Sequence, residues 1–394
     1  MLIQNVKLYS MEGAPIPCGY LRFQEGKIVS LGPMEEQPRP EPDEEVLDAA
    51  GKTLTPGFVD AHTHLGMWGD SVGFEGADGN EITDPATPQL RALDAINPMD
   101  KCFREAAAHG VTTAVTGPGS ANPIGGQMAA IKTAPTRRVD DCILKAPLAI
   151  KFAFGENPKG CYNEKGHTPM TRMATASIIR EQLASAKRYA EEQQKAKEDE
   201  DYDDPEFDAK CEALLPLLSG EIQAHMHCHQ ANDILTAIRI AGEFHLDYVL
   251  VHCTEGYRIA DVLKAENAKA VVGPYLCDRS KPELRSLTPK SPALLREKGV
   301  TAAICTDHPV IPLQYLPLCA GLAVREGLPY EDALRAITIV PATLLHLEDR
   351  VGSLAPGKDA DFLLFDGDPL SIYSTPCAVY INGQPVVLAE HEEI

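Results

Sequence analysis

The chain has 394 residues, 44% hydrophobic and 24% charged, which fits one large globular domain of about 250 to 300 residues plus a smaller one. Its 36 basic against 57 acidic residues give a net charge of -21, a field that repels phosphate backbones and argues against nucleic acid as a partner. No run approaches the ~18 apolar residues of a membrane span, the N-terminus lacks a secretory pattern, and eleven cysteines without framework spacing read as reduced thiols, so a cytoplasmic protein with no membrane partner is expected.

In chain order, the first 57 residues read as β. Met1 to Tyr9 alternates, Tyr20 to Phe23 alternates again, and Lys27 to Leu31 follows the turn signal Glu25-Gly26. Residues 32 to 44, rich in Pro and Glu, read as a surface loop. The middle alternates helix and strand. Asp100 to His109 is helix-like and is closed by Gly110, and Val111 to Thr116 is a β-branched run. The glycine-rich stretch Thr116 to Gln127 reads as a plain loop. Ala149 to Phe154 is an apolar strand interrupted by Lys151, and Thr175 to Lys197 has helical period. Ile222 to His227 is a strand, and Asp233 to Phe244 is an amphipathic helix. Val249 to Cys253, Ala270 to Gly273 and Thr301 to Thr306 are further strand runs. At the end, Asp361 to Asp366 and Val379 to Ile381 are strand-like, with Asn382-Gly383 as a hairpin signal. Two insertions stand apart. Gly66 to Gln89 has the place of a barrel lid, and Glu191 to Asp208 is an acidic, solvated and mobile surface segment.

This pattern fits an α/β fold. A (β/α)8 barrel or a doubly wound sheet covers residues 58–349, and one small sheet domain is built from both termini, 1–57 and 350–394. No Gly-x-Gly-x-x-Gly follows the first strand, which counts against a dinucleotide fold.

Parallel barrels place functional groups at the C-terminal ends of their strands. Those ends carry, in order, His62 and His64, Lys151, the run His225-Met226-His227-Cys228-His229, His252 and Asp307. On a strand the i, i+2 spacing of His62 and His64 puts both imidazoles on one face, about 6 to 7 Å apart, which is half of a zinc-type site. A lone histidine is more often a bonded core group. Six of twelve histidines at successive strand ends are hard to read that way. His109, His245 and His346 fall in helical stretches and read as structural.

The chain resembles the amidohydrolase superfamily of metal-dependent hydrolases, in its imidazolonepropionase-related branch. The matching pieces are Pro56 to His64, Val251 to Gly256, Cys305 to Pro309 and Gly352 to Asp361. The resemblance spans the whole chain and implies a distorted (β/α)8 TIM barrel with the terminal β-sandwich. It implies metal ligands at His62, His64, His252 and Asp307, and one more from the 225 to 229 cluster. His227 is preferred because the strand ends there; His225 is its rival, and His229 is assigned to substrate or supporting contacts. In many relatives a strand-four lysine is carboxylated and bridges two metals. Lys151 has that place, with Glu156 as a second candidate for the bridging oxygen. The imidazolonepropionases carry His-x-Glu on strand five where this chain has His-Cys-His, which puts the imidazolone substrate in doubt and favours a binuclear relative.

The implied cofactor is Zn²⁺, one or two ions, with Mn²⁺ or Fe²⁺ as alternatives. The implied reaction is hydrolysis of a C–N bond in an amide, lactam or cyclic amidine of a small molecule by a metal-activated water. Asp307 would shuttle the proton, and His252 or His229 would stabilise the oxyanion. Arg279 and Lys281 are candidates for binding a substrate carboxylate. Two other functions compete: a dipeptidase or carboxypeptidase of acyl-amino acids, and a non-catalytic scaffold. Assembly into a homo-oligomer stays open.

Overall fold

The computed structural model describes residues 1–69 and 73–386. The N-terminal strands are β1 (Leu2–Leu8), β2 (Ile16–Gln24), β3 (Lys27–Pro33), β4 (Val46–Asp48) and β5 (Thr53–Pro56). The central strands are β6 (Phe58–Thr63), β7 (Val111–Thr116), β8 (Ile124–Lys132), β9 (Ile143–Ala153), β10 (Gln223–Cys228), β11 (Tyr248–His252), β12 (Lys269–Val272) and β13 (Ala302–Ile304). They form one eight-stranded sheet in sequential order. At the C-terminus, β14 (Phe362–Phe365), β15 (Ala378–Ile381) and β16 (Gln384–Pro385) join β1 to β5 in a second sheet, in which β14 pairs with β5. The Asn382-Gly383 turn links β15 to β16. The lid-like insertion at 66–89 and the tail after 386 extend in part outside the described residues.

The central sheet curls into a nearly closed barrel. Every residue of β6, β7 and β10 is buried, as expected for strands covered on both faces. Val59, Val115, Met128, Ala149, Val249, Val271 and Ala303 pack together in the interior. The helices Arg172–Glu198 and Ala231–Phe244 cover the outside through Ile179, Leu183, Ile234 and Ala237. At the seam between β13 and β6, backbone bonds run from Ile304 N to Ala336 O and from Val59 N to Ile337 O. The buried Asp60 carboxylate closes the same seam. Its Oδ2 accepts from Thr306 N at 2.9 Å and Thr306 Oγ1 at 2.6 Å, and its Oδ1 accepts from His62 N at 3.1 Å.

The barrel departs from eight parallel units in one place. β8 runs antiparallel to both β7 and β9, with no α-helix on either connection. The stretch read as a loop to Gln127 becomes strand at Ile124, because Gly125 and Gly126 lie within β8. The acidic segment 191–208 also differs from expectation. The helix Arg172–Glu198 runs through its first half, and only the remainder is loop up to the Asp208 N-cap of the next helix.

The two sheets meet at a buried charge cluster. Asp359 accepts from Lys27 of β3 at 2.6 Å and from Arg350 Nη2 at 2.8 Å, and it lies 3.0 Å from Lys132 of β8, which also pairs with Asp361. Eleven free cysteines and no disulfide occur among the described residues. Among them, no helix is long and apolar enough to cross a membrane.

Candidate metal centre

The C-terminal strand ends converge on one buried cluster. His62 is the penultimate residue of β6, and His64 lies just beyond the strand, held by its backbone N–H on His308 O at 2.7 Å. Asp307 lies past β13, where Asp60 anchors Thr306. Three atoms therefore face one another. His62 Nε2 is 3.5 Å and His64 Nε2 is 3.3 Å from Asp307 Oδ1. A second trio, His227, His229 and His252, comes from the ends of β10 and β11, with ring centroids 4.5 to 4.7 Å apart. The trios adjoin: His252 Nε2 is 3.9 Å from Asp307 Oδ2, and the His62 and His252 rings are 5.4 Å apart. His252 and Asp307 have left-handed backbones, φ 70 and φ 54, a strain that clusters at functional sites.

The tautomers follow from the outer hydrogen bonds. A carbonyl oxygen only accepts, so His64 Nδ1 donates to Gly117 O at 2.7 Å and His252 Nδ1 donates to Gly273 O at 2.9 Å. In the neutral rings each Nε2 is then a bare lone pair aimed into the cluster. Burial holds His252 below its ordinary pKa, which keeps it neutral. Burial, with the neighbouring Lys151 charge, keeps His62 neutral as well. Among the described residues, His252 Nε2 and Asp307 Oδ1 are buried without a hydrogen-bond partner. Lone pairs facing a carboxylate repel one another unless a positive charge lies between them. Donors about 2.1 Å from one tetrahedral ion lie about 3.4 Å apart, close to the 3.3 and 3.5 Å found here. The residues present therefore fit a divalent cation.

Lys151 lies on β9, fully buried, with Nζ 3.1 Å from His62 Nε2. Burial pushes its pKa down to about 8. Next to it in register is His225, one layer below His227 and in neither trio. Burial lowers His225 to about 3, and neither ring nitrogen has a hydrogen-bond partner. His229, expected in a supporting place, stands with His227 and His252 as a third imidazole, its Nδ1 bonded to Thr254 Oγ1 at 2.8 Å.

The outer candidates fall elsewhere. Arg279 is exposed and donates to Leu287 O at 3.1 and 3.3 Å, away from the cluster. Glu156 turns its Oε2 to Glu283 N at 3.2 Å. Lys281 Nζ contacts Asn157 Oδ1 and Glu283 Oε1, each at 2.6 Å. Glu283 is the group that sequence reasoning missed. It is fully buried, with Oε1 3.6 Å from His229 Nε2 and 3.9 Å from His227 Nε2. It sits in a short 3-10 turn, Pro282–Leu284, with no motif around it. The one available signal was an acidic residue just after the seventh strand of the barrel series, where functional loops lie. Trp68, the chain's single tryptophan, packs edge-on against His64 at 5.0 Å.

The model of the amidohydrolase family matches residues 53–389. The crystal structure of an amidohydrolase from Thermotoga maritima MSB8 superposes with a TM-score of 0.93 at 43% identity, covering 98% of this chain and 99% of that one. Amidohydrolase tasK of Hapsidospora irregularis is 30% identical over 398 residues; this covers 92% of the chain but only 39% of the relative, so the chain spans about two fifths of that protein's length. An imidazolonepropionase of Symbiobacterium thermophilum is 25% identical, over 90% of this chain and 85% of that protein. The chain belongs to the amidohydrolase family and is a hydrolase acting on carbon–nitrogen bonds.

Proposed function

We propose that the chain hydrolyses the C–N bond of a small amide, lactam or cyclic amidine at one or two metal ions held by His62, His64, Lys151, His227, His252 and Asp307. The observation that carries this reading is the convergence of two imidazole lone pairs, fixed by Gly117 O and Gly273 O, on the Asp307 carboxylate. When bound, Zn²⁺, or Mn²⁺ or Fe²⁺ in its place, would polarise the scissile carbonyl and make water more acidic.

The side chains supply the rest. As an ionised carboxylate, Asp307 accepts the proton of the attacking water and returns it to the leaving nitrogen. The His252 Nδ1–H is committed to Gly273 O, so its Nε2 serves as a ligand and does not donate to an oxyanion. Lys151, with its pKa near 8, has enough neutral amine at neutral pH to add CO₂, releasing a proton and leaving an anionic carbamate oxygen where an ammonium could not ligate.

A reaction on acyl-amino acids needs a cation to take the substrate carboxylate. Arg279 is turned to Leu287, and Lys281 is held by Glu283 and Asn157, so the geometry supports the smaller amide class. Screening cyclic amides, amidines, dipeptides and N-acyl amino acids with the Zn²⁺ and Mn²⁺ forms tests this. Turnover confined to N-acyl amino acids or dipeptides would reject the proposed substrate class.

A further inference from the structure

We propose that Trp68 forms the aromatic wall of the substrate pocket and selects, among small amides, lactams and cyclic amidines, those that carry a planar ring. The proposal rests on the reading of the site given above and names its substrate more closely.

Three observations converge on it. The first is position. Trp68 follows His64 by four residues, and its indole stands edge-on to the His64 ring, with centroids 5.0 Å apart and planes at 69°. It is the single tryptophan of the chain and is only partly buried, so part of the indole stays open beside a residue of the proposed ligand set. An open indole surface in a pocket is one that a flat apolar group can cover. The second is support. Trp68 pairs with Ala77, and Asp78 N donates to Met67 O at 2.9 Å. Gly79 then lies directly against the six-membered ring of the indole, where a Cβ would fall 1.9 Å from Cη2. Glycine lets the backbone come this close. Gly119 N donates to Gly79 O at 2.8 Å and Ala121 N to Asn80 Oδ1 at 3.1 Å, which fastens the seat of the indole to the loop after β7. Gly117 of the same loop sets the His64 tautomer. One loop therefore fixes both rings, and a ligand meets a preorganised wall.

The third is polarity. β6 and β10 are four strands apart in the eight-stranded sheet, so the residues beyond them face each other across the barrel mouth. On the β10 side, Asn157 Nδ2 lies 3.5 Å from His227 Nε2, and Asn157 Oδ1 accepts from Lys281 Nζ at 2.6 Å. The pocket is thus polar on that side and aromatic on the β6 side. A substrate whose scissile group reaches the cluster turns its polar atoms toward Asn157 and its ring toward Trp68.

The test compares two metal-chelating probes on the metal-replete full chain: benzohydroxamate, which carries a ring, and acetohydroxamate, which does not. Binding is read by calorimetry and by the emission of Trp68. Wild type should bind benzohydroxamate roughly 10-fold or more tighter, with the larger change in emission. Trp68→Ala should close that gap while keeping metal content and acetohydroxamate affinity, and Trp68→Phe should retain most of it. Gly79→Ala, which forces the indole to shift, should narrow the gap with Trp68 still present. Acetohydroxamate binding with no preference for benzohydroxamate in wild type would overturn this proposal and leave the metal reading standing. A preference that survives in Trp68→Ala would overturn it as well. Binding of neither probe would overturn the metal reading and this proposal with it.

Discussion

His64 directs its Nε2 to within 3.3 Å of Asp307 Oδ1 while its opposite nitrogen is bonded to Gly117 O. The pairing joins the first and last strands of the barrel across its seam. It gives the carboxylate two tasks, as ligand and as proton acceptor. Replacing Asp307 with Asn should separate them. The amide oxygen still coordinates weakly but is a poor base, so metal content should persist while kcat falls by about 10² to 10⁴. Paired elemental analysis and steady-state kinetics check this, and near-full activity would reject the assigned role.

Lys151 offers a chemical rescue. It is fully buried, with its pKa near 8 and no carboxylate close enough to form an ion pair among the described residues. Lys151→Ala should lose metal and turnover, and formate, acetate or propionate should restore part of both by supplying the missing oxygens. In the wild type, ¹³C-bicarbonate should give a carbamate carbon signal that disappears in the variant. Unchanged metal content in Lys151→Ala, with no such signal in the wild type, would assign the lysine to packing.

Asp60 concerns stability more than chemistry. Three donors, Thr306 N, Thr306 Oγ1 and His62 N, end on its carboxylate. An Asn amide cannot accept on both sides, so Asp60→Asn should lower unfolding free energy by about 1 to 3 kcal/mol. Because Thr306 precedes Asp307, metal affinity should fall as well. Urea unfolding and a metal titration measure the two effects, and a loss of neither would deny that Asp60 holds the seam.

The junction of the two sheets predicts an acid-sensitive step. Burial would raise the Asp359 pKa, but the hydrogen bond from Arg350, the charge of Lys132 and the bond from Lys27 together bring it from 3.8 down to about 2. A carboxylate whose folded pKa is depressed stabilises the fold above its unfolded pKa and loses that contribution as pH falls through the folded value. The contribution, on the order of 2 kcal/mol, should therefore be present at pH 7 and disappear between about pH 4 and pH 2. Asp359→Asn should unfold more easily at pH 7, and its gap from wild type should close over that window. A gap that stays constant with pH would show that the charge of Asp359 contributes nothing.

Much of the barrel was legible in the sequence because its parallel strands are buried on both faces and read as apolar runs. Val111 to Thr116 matched residue for residue, and Tyr248–His252 and Lys269–Val272 were displaced by one residue. β8 was hidden because Gly125, Gly126, Ala129 and Ala130 leave no alternation to read, and its order comes from pairing with β7 and β9. The histidines were visible as strand-end residues, but the sequence could not show that His229 turns back toward His252 while His225 sits a layer below. Glu283 was invisible for a similar reason. Its place depends on a reciprocal bond to Glu156, 127 residues away in the chain.

The most direct measurement is anomalous X-ray scattering at the zinc edge from crystals of the metal-replete protein. A peak about 2.0 to 2.2 Å from the facing atoms of His62, His64 and Asp307 is expected. No peak at that position in fully loaded crystals would contradict the proposed metal centre.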